Sequence, residues 1–209
     1  IVHEIRNPYS TIKLVLEYFN KLDLSTEVKK RLILAVDEAK RLEKLLQEIL
    51  LYAKPQILEL SQIDINRCLY KVLELQRNLP EIINKNIEFY PATAEPKIQG
   101  DEDKIKQVFI NIIQIACQAI DSGEKVKLQV DSHLNQKEVC IQVCNGGEPI
   151  PPNILPLLTQ PFFSTKPSGT GLGLAITKRI VEAHNGEFLI ESNAEEGTSV
   201  TVKLPLVIE

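Results

Sequence analysis

The chain has no methionine, no tryptophan and no surplus of positive charge, and each absence closes off a class of function. Its 24 Lys and Arg against 28 Asp and Glu give a formal charge of -4. That leaves no basic footprint for nucleic acid and no polybasic patch for a membrane surface. No apolar run approaches the ~20 residues of a spanning helix, and no signal-peptide pattern is present. Cys68, Cys117, Cys140 and Cys144 form no CxxC pair and have no histidine at zinc spacing, so reduced, buried thiols are expected. A sequence without methionine that opens in mid-motif at Ile1 reads as a piece of a longer, cytoplasmic protein whose parent carries any membrane anchor. What remains is ordinary for a soluble fold: 209 residues, 44% hydrophobic and 25% charged, enough for one or two domains.

Residues 1–54 read as helix throughout. Ile1, Ile5, Pro8, Ile12, Val15, Phe19 and Leu22 follow steps of four and three. So do Val28, Leu32, Ala35, Ala39, Leu42, Leu46, Ile49 and Ala53. That is the seam of helices packed side by side. Asp23-Leu24-Ser25-Thr26 supplies a turn and N-cap, with Glu27 in the first helical turn. A hairpin cannot bury such a seam alone, and Leu14, Leu16, Ile33, Val36, Leu45 and Leu50 widen it. A homodimeric four-helix bundle is the simplest way to bury both, the alternative being a hairpin packed on its own second domain.

Pro55 ends the helix, and the periodicity changes. Strands are expected near 57–60, 87–90, 126–131, 138–144, 187–191 and 198–204, and helices near 66–79, 102–120 and 172–184. Mixed elements with hairpin-linked strands predict an α+β sandwich over residues 55–209.

Two motifs carry chemistry. His3 lies about 200° around the helix from the seam residue Ile5, so it faces solvent. Glu4 beside it can take the proton from one ring nitrogen and leave the other as a nucleophile. Asn7, one turn on, can orient a water for hydrolysis, and Pro8 loosens the helix there. Far along the chain, Gly169-Thr170-Gly171-Leu172-Gly173-Leu174 precedes a helix. Such glycines let backbone approach phosphates, and the helix N-terminus offers free N–H groups with partial positive charge. In the strand 138–144, Val139, Ile141 and Val143 share one face, and Asn145 continues it inward, where a base could lie.

His3-Glu4-Ile5-Arg6-Asn7-Pro8 at the head of such a hairpin closely resembles the phosphoacceptor box of the sensor histidine kinases of two-component systems. The resemblance extends over the whole chain. Residues 1–54 are then the dimerisation and phosphotransfer hairpin, and 55–209 an ATP-binding domain of Bergerat type. Gly169 to Gly173 looks like the family's second glycine box, and Pro161-Phe162-Phe163-Ser164-Thr165-Lys166 like its phenylalanine box. Residues 146–170 would be a mobile ATP lid, with Lys166 placed to meet a phosphate. Asn145-Gly146-Gly147-Glu148-Pro149-Ile150 resembles the first glycine box. Asn145 stands where an Asp usually accepts from the adenine amino group, and its amide oxygen can still accept. Pro149 replaces the second glycine of that box.

Residues 107–116 look like the asparagine box, whose two asparagines stand four apart on one helical face. Asn111 fills the first position, but Ile115 occupies the second, and an aliphatic side chain cannot bind a hard cation. The resemblance leaves Asn111 with waters as the Mg2+ ligand and Gln118 as a phosphate contact. It implies ATP and Mg2+ as cofactors, autophosphorylation of His3, and transfer to an Asp of a response-regulator receiver domain. Glu4 would be the base and Asn7 the water-orienting residue. Two other readings stand beside it: a kinase-impaired, phosphatase-biased or nucleotide-sensing relative, and a non-enzymatic dimeric scaffold. A chaperone- or mismatch-repair-type ATPase of the same superfamily is disfavoured, because those proteins lack the histidine hairpin.

Overall fold

The computed structural model describes residues 2–80, 82–133, 135, 137–166 and 169–207, with the backbone alone over 2–8. The chain divides into two compact units, Ile1–Pro55 and Gln56–Glu209.

The first unit is a hairpin of α1 (Val2–Asn20) and α2 (Thr26–Ala53). Ser25 takes the N-cap of α2, where its carbonyl accepts from the Lys29 N–H at 2.9 Å. Tyr9 is buried and donates to Glu43 Oε2 at 3.0 Å, and Lys13 joins the same carboxylate at 3.3 Å. Leu32 is buried as well. Other seam positions are not so covered: Ile12, Val15 and Phe19 on α1, Leu22 just past its end, and Val28 and Leu42 on α2 stay exposed in the single chain.

The second unit runs β1 (Ser61–Asp64), α3 (Ile65–Gln76), β2 (Asn86–Tyr90), β3 (Lys97–Gly100), α4 (Glu102–Gln118), β4 (Lys125–His133) and β5 (Glu138–Asn145). A 3-10 turn at Leu155–Leu157 follows, then α5 (Gly173–Ala183), β6 (Glu187–Asn193) and β7 (Gly197–Pro205). The main sheet has the order β2-β4-β5-β7-β6, with β2 and β4 parallel and the other pairs antiparallel. Val126, Leu128 and Val130 on β4, Val139, Ile141 and Val143 on β5, and Val200, Val202 and Leu204 on β7 are all buried. Alternation thus works as read: every second residue turns into the core. The helices contribute Cys68, Leu69 and Val72 of α3, Ile105, Val108, Phe109, Ile112 and Ile113 of α4, and Ile180 and Val181 of α5. A two-layer α+β sandwich results.

One strand expectation needs correction, and one strand was missed. The strand placed at 57–60 lies instead at β1, because pairing rather than apolarity sets its position. Ile57 and Leu60 are exposed, whereas Ile63 is buried opposite Ile98 of β3. The small β1–β3 sheet was not foreseen at all, since β3 is only four residues long. All four cysteines are free. Cys68 and Cys117 are buried as expected, and burial pushes the Cys68 thiol up to about 11. Cys140 and Cys144 correct the expectation, being only half-buried on the outward side of β5. Among the described residues, no helix is long and apolar enough to cross a membrane, and no group of three or more His, Cys, Asp and Glu could hold a metal ion.

Candidate nucleotide site

Helix α4 organises the site. Its N-cap is Asp101, whose carboxylate accepts from the N–H groups of Asp103 and Lys104, both at 3.1 Å, and from the Glu59 N–H at 3.2 Å. Burial raises the Asp101 pKa, but these three donors outweigh it and hold the carboxyl below its usual value. The Asp101 N–H is taken by Nε2 of buried His184 at 3.0 Å, while His184 Nδ1 lies 2.7 Å from the Ile180 carbonyl. Only a neutral imidazole protonated at Nδ1 serves both partners. His184 therefore ties the end of α5 to the start of α4.

Three loop segments reach one side of α4. At its middle, Asn111 meets the start of α5. A Cβ on Gly173 would stand 2.8 Å from Asn111 Oδ1, so glycine lets α5 come this close without displacing the amide. Asn111 Nδ2 donates to Thr177 Oγ1 at 2.8 Å. At the end of the helix, Lys166 Nζ donates to Gln118 Oε1 at 2.8 Å. Lys166 is exposed as a whole residue, yet the protein packed about its ammonium depresses its pKa by desolvation. Beyond it, Gly147, with φ +91°, lies directly against the carbonyl oxygen of Ala119, the C-cap of α4. Ile115 is half-buried one turn from Asn111 on the same side.

The glycine loop folds on itself. Phe162 N–H donates to the Gly171 carbonyl at 3.0 Å, Gly169 N–H to Lys166 at 3.0 Å, and Leu172 N–H to Thr170 Oγ1 at 3.4 Å. Leu172 is fully buried, so its side chain belongs to the core and only its backbone can face a ligand. From Gly173 the helix begins, and its first N–H groups have no carbonyl ahead of them to bond. An anion there meets free donors and the positive end of the helix dipole.

Asn145 closes β5 on the inward face, 6% exposed. Its register partners are Val126 and Thr198, and Thr198 in turn pairs with Ser192 of β6. The inner face of the sheet thus ends in a polar rung. Ser192 Oγ and Thr198 Oγ1 stand 2.8 Å apart, and Ser192 accepts from the Ile150 N–H at 2.9 Å. Asn145 Nδ2 is committed to the Gly146 carbonyl at 2.6 Å, which leaves Oδ1 as the group able to accept from a ligand.

Sequence reasoning therefore named residues that the fold brings together: Asn111 with Gly173, Gln118 with Lys166, and Gly147 with the end of α4. It missed Thr177, Ser192 and Thr198. A threonine inside the apolar stripe of α5 was the one available signal for Thr177. Ser192 and Thr198 give none until the strands are paired. His3, Glu4 and Asn7 fall on the first turns of α1, and their side chains lie outside the described residues.

Residues 1–58 match the His Kinase A (phospho-acceptor) domain, and residues 100–208 match the Histidine kinase-, DNA gyrase B-, and HSP90-like ATPase family. A phospho-acceptor hairpin is thus followed by an ATPase lobe. The chain belongs to the sensor histidine kinases, as a catalytic core. The sensor histidine kinase ZraS of Escherichia coli (strain K12) is 33% identical over 209 residues, covering 100% of this chain and 44% of that protein. The chain thus spans less than half the length of that curated relative. The histidine kinase ThkA, solved in complex with response regulator protein TrrA, superposes with a TM-score of 0.73 at 31% identity, over 98% of this chain and 59% of that one. Full-length ShkA, solved with AMPPNP, shares the fold at a TM-score of 0.84 and 22% identity, over 100% of this chain and 45% of that one.

Proposed function

We propose that the Gln56–Glu209 unit binds ATP with Mg2+ and that His3 takes its γ-phosphoryl group. The observation that carries this reading is the meeting of three loop segments on one side of α4, through Gly173 at Asn111, Lys166 at Gln118 and Gly147 at Ala119. Adenine would be read by Asn145 Oδ1, with Ser192 and Thr198 beside it. The phosphates would lie on the free N–H groups at the start of α5, against Lys166. Asn111 Oδ1, an amide oxygen, would hold the Mg2+, with waters completing a shell in which Ile115 takes no part. Mg2+ would neutralise charge on the transferring phosphoryl group.

In the reaction, one imidazole nitrogen of His3 bonds to the γ-phosphorus as the bond to the β-phosphate oxygen breaks. The electron pair leaves on ADP, and the proton of the other ring nitrogen passes to Glu4. Positioning and charge neutralisation account for most of such catalysis. Two copies would pair through the exposed seam of α1 and α2, and the phosphoryl group would pass to an Asp of a response-regulator receiver. ThkA's solved complex with TrrA supports that partner class.

Incubation with labelled ATP and Mg2+ tests this. Acid-labile, alkali-stable label is expected on the wild type and absent from His3→Gln. Label that persists on His3→Gln removes the reading. Ile115 favours one second reading, a phosphatase-biased relative. It predicts an unlabelled wild type that speeds loss of phosphate from the receiver, with Asn7→Ala inactive.

A further inference from the structure

We propose that Thr177 is a positioning residue, whose hydroxyl sets which end of the Asn111 amide is presented for cation binding. This rests on the assignment of Asn111 as the Mg2+ ligand. A carboxamide has a donor end and an acceptor end of nearly the same shape. Only the oxygen end binds a hard cation. In a site with two asparagines, one misturned amide leaves a ligand in place. Here Ile115 supplies none, so the orientation of Asn111 decides whether α4 contributes any ligand from this pair.

Thr177 settles the orientation. It stands one turn into α5 from Gly173, is 1% exposed, and lies 2.8 Å from Asn111 Nδ2. Thr177 Oγ1 is the acceptor of this bond and Asn111 Nδ2 its donor. An acceptor selects the amide nitrogen. Oδ1 is thereby turned away from Thr177. Gly173, with no side chain, lets the start of α5 come close to both ends of the amide. Asn111 thus sits between the start of α5 and a buried hydroxyl, in the state that offers oxygen.

The test measures ADP binding to the full chain across a Mg2+ titration, and again in EDTA, for wild type, Thr177→Val, Thr177→Ser and Asn111→Ala. Valine keeps the shape of threonine and removes the acceptor; serine keeps the acceptor and drops the methyl. Thr177→Val is expected to raise the half-saturating Mg2+ concentration about five- to tenfold, the effect of one net hydrogen bond. Binding in EDTA should stay within about twofold of wild type, and Thr177→Ser should restore the metal dependence. A second signature needs no ligand: in the wild type, side-chain amide protons of Asn111 exchange slowly with solvent, and in Thr177→Val they exchange fast. That reading on the wild type stands even if the valine variant folds poorly, and fast exchange in the wild type overturns the proposal.

A wild-type Mg2+ curve for Thr177→Val also overturns it, as does an equal loss of binding in EDTA. Asn111→Ala separates the two levels. If it abolishes metal dependence while Thr177→Val does not, positioning alone fails. If Asn111→Ala leaves metal dependence untouched, the assignment of Asn111 fails and this proposal with it.

Discussion

Ile115→Asn would place a second amide one turn from Asn111 on the same side of α4, and its two effects have opposite signs. Ile115 is half-buried. Full burial of such a side chain is worth about 1.5–3 kcal/mol, so replacing half of that contact with a polar amide costs about 1 kcal/mol. Isoleucine and asparagine differ little in helix propensity, which adds almost nothing. For a lobe of this size, the melting temperature should fall by about 2–4 °C. Against this, an amide contact to a charged phosphate or metal shell is worth about 1.5–3 kcal/mol, or roughly 10- to 150-fold in affinity for Mg2+·ATP. The variant should therefore melt earlier when free, bind Mg2+·ATP more tightly, and label itself faster at subsaturating nucleotide. Calorimetric titration, a melting curve without ligand, and initial rates with labelled ATP measure the three quantities. A lower melting temperature with unchanged affinity and rate would refute the reasoning, because Ile115 would then be ordinary core and not part of the phosphate site.

Two further outcomes follow from the geometry. The ammonium of Lys166 has a depressed pKa from desolvation, and bound phosphate favours its charged form. Nucleotide affinity should hold steady at neutral pH and fall as pH rises through that lowered value; Lys166→Met should bind more weakly throughout and lose the alkaline fall, so an identical fall in the variant counts against a phosphate role. The Asp101 carboxylate caps α4 with its pKa held low, so its contribution is present above the unfolded pKa and is lost as pH falls through the folded value. Asp101→Ala should reduce unfolding free energy by about 1–2 kcal/mol in urea at neutral pH, with a smaller deficit in acid, and an equal deficit at both would contradict the carboxylate account.

The helical hairpin was legible in the amino acids alone, because a period of 3.6 residues is local and the seam repeats it for many turns. The inward side of β5 was equally legible: strict alternation carries Val139, Ile141 and Val143 into the core and takes Asn145 with them. The glycines of the nucleotide loop were recognisable for a similar reason, as close backbone approach admits few other residues. Pairing was not legible. Whether residues 57–60 or Ser61–Asp64 form a strand depends on finding Lys97–Gly100, and no local pattern announces that partner.

Local pattern in the amino acids settles which residues point inward and which segments match a nucleotide-site motif. That α4 is the common floor beneath three distant loops emerges only from packing. It alone placed Ser192 and Thr198 beside Asn145, and a buried threonine on α5 against Asn111. The difference is one of range. Periodicity and capping act over a few residues, whereas Asn111 and Thr177 are brought into contact by the packing of two helices and by the absence of a side chain at Gly173.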